Sequence, residues 1–143
     1  MKTSAARRRL IYLGVALATV AAGLSVRFAP LGLPWFWMKY GGSMLWAVMI
    51  YWVLRLVWPA RGSVALASAA GVIATLVEFT RLYHCVWLDA FRVSLPGMVL
   101  LGRYFSVRNI AAYWLAIAAG ALLDAYVIRR AGNRALLESK QSP

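Results

Sequence analysis

Four uncharged and mostly apolar runs dominate the chain, and each is bounded by Arg, Lys or an acidic residue. A helix needs roughly 20 residues to cross a hydrocarbon layer of ~30 Å, and the arginines that close these runs carry long apolar stems that let each helix extend past its first charge. The pattern therefore predicts four membrane-spanning helices. The predicted spans are residues 10–27, 40–58, 62–79 and 109–128.

A fifth apolar stretch, residues 93–102, is too short to cross a membrane alone. Pro96 and Gly97 within it are expected to interrupt a regular helix. The stretch is therefore either a re-entrant or interfacial segment between the third and fourth spans or an ordinary external loop. The whole pattern predicts an all-α fold, an integral membrane four-helix bundle that forms one domain over residues 1–143.

The composition excludes a soluble globular protein, because 63% of the 143 residues are hydrophobic and only four residues are acidic. The formal net charge of +12 would suggest nucleic acid in a soluble protein. Here much of that charge flanks apolar spans, where anionic lipid head groups lie. Membrane lipids are therefore the expected partners, nucleic acid is not, and a homo-oligomer is compatible with four short helices.

The basic residues also predict the orientation. If both termini are cytoplasmic, ten of the 16 basic residues face the cytoplasm and six face outward, as the positive-inside rule prefers. We therefore expect a bacterial cytoplasmic (inner) membrane protein with cytoplasmic tails at residues 1–9 and 129–143 and a polar outer segment at residues 78–109. An alternative for the N-terminus is a cleavable signal peptide, because three arginines precede an apolar run with small residues near Val20.

Cofactor and metal motifs do not occur in the sequence. It has no Gly-rich phosphate loop and no zinc-type cysteine spacing, so neither a cofactor nor a metal is expected. Cys85 is the sole cysteine and cannot form a disulfide within the chain, so the redox compartment does not follow from it.

The outer segment holds most of the candidate chemistry. If the third helix continued beyond Glu78, one helical face would carry Glu78, Arg81, Cys85, Asp89 and Arg92. Glu78 with Arg81 and Asp89 with Arg92 would then be spaced to pair. One interpretation is structural, with Glu78 neutralising a nearby arginine. A second is an outward-facing pocket in which surplus arginines hold a phosphate or carboxylate group, and a third is acid–base chemistry by Glu78 and His84. The ligand-binding candidates are Glu78, Arg81, His84, Asp89, Arg92, Arg103, Arg108 and Asn109.

Arg55 and Asp124 are charged residues near the C-terminal ends of the second and fourth predicted spans, at matching depth. A buried ion pair between them would compensate both charges, so we expect a structural ion pair. A proton relay is the alternative, but no second carboxylate lies at the same depth.

Residues spread over most of the chain, from about Arg8 to Tyr126, form an ordered set: Arg27, Lys39, Tyr40, Gly41, Gly42, Leu45, Trp46, Ala47, Glu78, Leu82, Tyr83, His84, Trp87, Leu88, Asp89, Arg92, Leu101, Gly102, Phe105, Ala112 and Tyr113. With this set the chain resembles a family of small uncharacterised bacterial inner-membrane proteins, a domain-of-unknown-function family. More remotely it resembles the VanZ-like proteins, which are linked to tolerance of lipid-targeting glycopeptide antibiotics. Neither resemblance implies a particular activity. The family pattern often has an acid at the positions of Ser43 and Asn109 and Gln at that of Arg81, so this chain departs there.

Three functions remain compatible with these observations. The first is a protein that binds an anionic lipid or a lipid-linked envelope precursor through the outer arginine-rich segment. The second is a small membrane enzyme that acts on such a lipid, with Glu78 and His84 as acid and base. The third is an oligomeric transporter or channel component, which the position of the charges near the span ends disfavours. The sequence leaves catalytic activity open and favours binding.

Overall fold

The computed structural model describes residues 2–29, 32–101 and 105–141, of which residues 2–5, 7, 99 and 127–141 are described by their backbone alone. The described chain is helical and contains no strand, which confirms the predicted all-α class. Its helices are α1 (Lys2–Phe28), a π-helical turn (Trp37–Gly41) that continues into α2 (Gly42–Val57), α3 (Ser63–Thr80), α4 (Val86–Val93), α5 (Leu95–Leu100) and α6 (Val107–Gln141).

Four of these helical stretches are long and apolar enough to cross a membrane, as the hydrophobic pattern predicts. They are Arg8–Phe28, Trp37–Val57, Ser63–Thr80 and Val107–Tyr126. With four such helices in a chain of 143 residues, the molecule is a membrane protein.

The spans pack around α2, which contacts α1, α3 and α6, while α3 also contacts α6. Small residues allow these close approaches, because helices in a bilayer associate through van der Waals packing more than through the hydrophobic effect. A Cβ added at Gly71 would lie 2.5 Å from the ring of Trp114, so this glycine makes room for the indole. The buried core consists of Tyr12, Ala16, Ala47, Tyr51, Trp52, Leu66, Ala70, Ala74, Tyr113 and Ile117.

The connection between α3 and α6 differs from the sequence expectation in two ways. α3 ends at Thr80, and a turn precedes α4, so the continuous helical face from Glu78 to Arg92 does not form. Pro96 lies in the first turn of α5 and does not interrupt a helix, because the backbone N–H that proline lacks has no intrahelical partner at that position. The Oγ of Ser94 caps this short helix by accepting a hydrogen bond from the N–H of Gly97.

Candidate functional site

Two buried carboxylates, Asp124 and Glu78, organise opposite ends of the bundle, called here the Asp124 end and the Glu78 end. Asp124 contacts the guanidinium of Arg55 on α2, with Nε 2.7 Å from Oδ2. This contact is an ion pair and not a hydrogen bond, because the N–H of Nε is not aligned with an acceptor. The hydroxyl of Tyr51 donates to Oδ2 at 2.6 Å, and that of Tyr12 donates to Oδ1 at 3.1 Å.

Residues from all four spans therefore meet at Asp124. Ser63 at the start of α3 donates to Oδ2 at 3.3 Å. Arg55 in turn donates to the hydroxyl of Tyr12 at 2.9 Å and to the carbonyl of Arg61 at 2.7 Å. The cluster thus compensates both buried charges and joins α1, α2, α3 and α6 at one end of the bundle.

Glu78 has a different set of partners at the other end. Its side chain is fully buried, and Arg81 lies 2.5 Å from Oε2. The hydroxyl of Tyr113 donates to Oε2 at 2.6 Å, while the N–H of Ser106 and the side-chain amide of Asn109 donate to Oε1 at 2.8 and 3.2 Å. These contacts fasten the start of α6, and the residues just before it, to the end of α3.

Arg92 joins α4 to the end of α3. The residue is only 3% exposed, and Nη1 donates to the carbonyl of Tyr83 and to Asp89 Oδ1, both at 2.9 Å. Nη2 donates to the carbonyl of Thr80, one of the last carbonyls of α3, which have no partner within the helix. The arginine therefore caps α3 and positions α4.

His84 lies beside Asp89 on the protein surface. Its Nδ1 is 3.3 Å from both carboxylate oxygens of Asp89, and the imidazole is 68% exposed. Glu78 is enclosed by Arg81, Ser106, Asn109 and Tyr113, and none of these contacts involves His84. Among the described residues, no group of three His, Cys, Asp or Glu side chains could hold a metal ion.

The candidate ligand-binding residues thus separate into three groups. Glu78, Arg81 and Asn109 form one buried cluster, and His84, Asp89 and Arg92 form a second contact group. Arg108 stands apart and is exposed, while Arg103 lies outside the described residues.

The sequence-based site candidates do not include four side chains that complete the buried clusters: Tyr12, Tyr51, Ser63 and Tyr113. Tyr113 is named only among the residues that carry the family resemblance. Two of the four could be found from their helical spacing to a candidate residue. Tyr51 precedes Arg55 by one helical turn, and Tyr113 follows Asn109 by one turn. Tyr12 and Ser63 carry no comparable signal.

A groove opens beside Arg108, between the start of α2 and the first half of α6. It has a volume of about 220 Å³. An adjoining cavity of about 430 Å³ shares Met44 with it and is lined by apolar residues of α1, α2 and α6, including Val26, Leu45 and Ala116. The residues that line the groove with Arg108 are Phe36, Tyr40, Met44, Ala111, Ala112 and Leu115. These residues together with Arg108 define the Arg108 groove.

The helices and buried ion pairs define a multi-pass α-helical membrane protein. Within this class, the chain belongs to the family described as "Protein of unknown function (DUF2809)", whose model matches residues 32–121, more than half of the sequence. The match confirms the resemblance to a family of uncharacterised proteins. It includes α2 to α5, both Glu78 and Arg108, and the part of α6 that ends before Asp124. No solved structure matches the chain.

Proposed function

We propose that this is a multi-pass protein of the bacterial cytoplasmic membrane that binds the phosphate of an anionic lipid or of a lipid-linked envelope precursor in the Arg108 groove. Both termini are cytoplasmic in this proposal, so the Glu78 end faces outward. The excess of basic residues in the tails and in the loop between α2 and α3 supports this orientation through the positive-inside rule.

The observation that carries the proposal is that the charge of Arg108 is not compensated by a carboxylate of the described residues. The carboxylates of Glu78, Asp89 and Asp124 face Arg81, Arg92 and Arg55. Within the described part of the chain, Arg108 has no carboxylate partner and its side chain is exposed. A guanidinium in this state can hold a phosphate with two parallel hydrogen bonds.

The apolar walls of the groove supply the second half of a lipid site. Tyr40, Met44, Ala112 and Leu115 line it next to Arg108, and the adjoining apolar cavity begins at Met44. A charged group beside an apolar groove matches an amphiphile with a phosphate head and a hydrocarbon tail. The adjoining cavity, at about 430 Å³, is within the range of small-molecule sites, which is roughly 300–1,000 Å³.

The geometry supports binding over the enzymatic alternative. A general base needs a free lone pair within reach of the substrate proton. The carboxylate of Glu78 accepts from Tyr113, Ser106 and Asn109 and also pairs with Arg81. The VanZ-like resemblance stays a prediction and adds no activity to this proposal.

The test is a titration of the purified protein with defined lipids, read by native mass spectrometry. The probes are phosphatidylglycerol, undecaprenyl phosphate, zwitterionic phosphatidylcholine and inorganic phosphate. Arg108→Ala is compared with wild type and with Arg9→Ala, a charge-matched control in which an exposed arginine is removed at the Asp124 end. A basic residue near a membrane surface contributes ~1 kcal/mol to the binding of anionic lipid, so we expect Arg108→Ala to weaken binding about fivefold.

The anionic lipids and inorganic phosphate decide separate parts of the proposal. Weaker binding of phosphatidylglycerol or undecaprenyl phosphate to Arg108→Ala alone supports the site and identifies the lipid class. If Arg108→Ala lost binding of inorganic phosphate to the same extent as binding of lipid, the site would be assigned to a free anion, and the proposal of a lipid ligand would be overturned. Equal affinities of wild type, Arg108→Ala and Arg9→Ala for every probe would overturn the binding site.

A further inference from the structure

The polarity of α4 is the reverse of that found on the surface of a soluble protein. Val86 is 91% exposed, Trp87 is 72% exposed and Val93 is 63% exposed, whereas Arg92 on the opposite side of the helix is buried. The helical positions of the exposed side chains form one continuous apolar arc. This arc is named the α4 apolar face, and it consists of Val86, Trp87, Ala90, Phe91 and Val93.

The contacts of Arg92 fix where this face lies relative to the membrane. Arg92 binds the carbonyls of Thr80 and Tyr83, at and just beyond the last turn of α3. Since α3 is a candidate membrane span that ends at Thr80, α4 is attached at the level where the span ends. A helix at that level meets the boundary between the lipid head groups and the acyl chains.

The neighbouring residues have the composition of that boundary. Tyr83 and Leu82 precede α4 and are exposed, and Leu95 and Leu100 of α5 continue the exposed apolar surface. Trp and Tyr are enriched at membrane interfaces, because each has an apolar ring and a polar group that stays hydrated. Asp89 is 43% exposed and lies on the polar side of α4 with His84.

We propose that the α4 apolar face inserts into the membrane interface, with the polar side of α4 held against the bundle by Arg92. The partner is therefore the lipid layer around the head-group boundary. An interfacial amphipathic helix lies in the membrane plane with its apolar side buried by about 5–10 Å, and a helix of two turns with one apolar arc suits this position. The proposal is independent of lipid binding at Arg108.

Single-cysteine labelling tests this placement. In a Cys85→Ser background, cysteines replace Val86 and Val93 one at a time and are labelled with bimane in the full-length protein. Val72→Cys is the lipid-facing control, because Val72 is an exposed residue in the middle of α3. Ala60→Cys is the water-facing control, because Ala60 is exposed in the loop between α2 and α3.

The readout is quenching of bimane fluorescence in vesicles, either by phosphatidylcholine brominated near the upper part of its acyl chains or by iodide in the water. We expect the Val86 and Val93 probes to be quenched by the brominated lipid, as at Val72, and to be less sensitive to iodide than the probe at Ala60. Quenching by iodide alone would show an external loop and overturn the proposal. Protection from both quenchers would show a protein partner or a second copy of the chain on this face, and would also overturn it.

Discussion

The contact between Arg55 and Asp124 offers the most direct test of how the bundle is held together. Both side chains are buried, and their charged groups lie 2.7 Å apart at the place where all four spans meet. Removing one partner of a buried ion pair leaves the other charge without compensation and typically costs ~3–5 kcal/mol. We therefore expect Asp124→Asn and Arg55→Met each to lower the free energy of unfolding by about this amount.

The double variant separates the charge from the hydrogen bonds. With both charges removed, the desolvation penalty disappears. The asparagine amide, however, keeps one acceptor oxygen where the carboxylate had two, so one of the hydroxyls of Tyr12 and Tyr51 loses its acceptor. A buried polar group that loses its partner costs ~1–3 kcal/mol, so the double variant stays less stable than wild type. It should nevertheless be about 2–3 kcal/mol more stable than the sum of the single losses predicts.

Equilibrium unfolding in bicelles, followed by near-ultraviolet circular dichroism, gives the four free energies of this cycle. A parallel cycle pairs Asp124→Asn with Arg9→Met, because Arg9 is exposed and its contributions are expected to add. If the losses from Arg55→Met and Asp124→Asn add within ~0.5 kcal/mol, the ion pair contributes nothing specific and this reasoning is wrong.

Two further predictions concern the Glu78 end. Gly97→Ala should lower the melting temperature, because the added Cβ would overlap the backbone carbonyl of Phe91. Gly62→Ala should lower it less, because beyond the chain neighbours no atom lies within 4 Å of the added Cβ and only the N-cap of α3 is weakened. Equal melting temperatures for the two variants would contradict the close approach at Gly97. Glu78→Gln should lower the free energy of unfolding by ~3–5 kcal/mol, since it removes the buried negative charge that faces Arg81. Chemical denaturation of wild type and Glu78→Gln checks this value, and an unchanged midpoint would argue against a structural ion pair.

Two of the departures from the family pattern lie at the same place in this structure. Arg81 and Asn109 occupy two of the positions at which the chain differs from the resemblance, and both contact the carboxylate of Glu78. Both departures therefore fall among the side chains that surround Glu78.

Much of the fold follows from the sequence because membrane insertion depends on local composition. The length of each apolar run and the charges at its ends predict four spans, and the four apolar helices of the structure start and stop close to those positions. The i to i+3 spacing of Glu78 with Arg81 and of Asp89 with Arg92 also places partners within reach, and both pairs are present even though α3 ends at Thr80.

The sequence by itself determined the class of protein, the number of apolar helices and the residues whose charge required compensation. Only the tertiary structure decided which side chains provide that compensation, because contacts between helices depend on how each helix rotates and packs against its neighbours. Tyr12 and Asp124 are 112 positions apart and meet through a single hydrogen bond. The same packing encloses Glu78 and leaves Arg108 exposed beside an apolar groove, which the spacing of charges along the chain does not reveal.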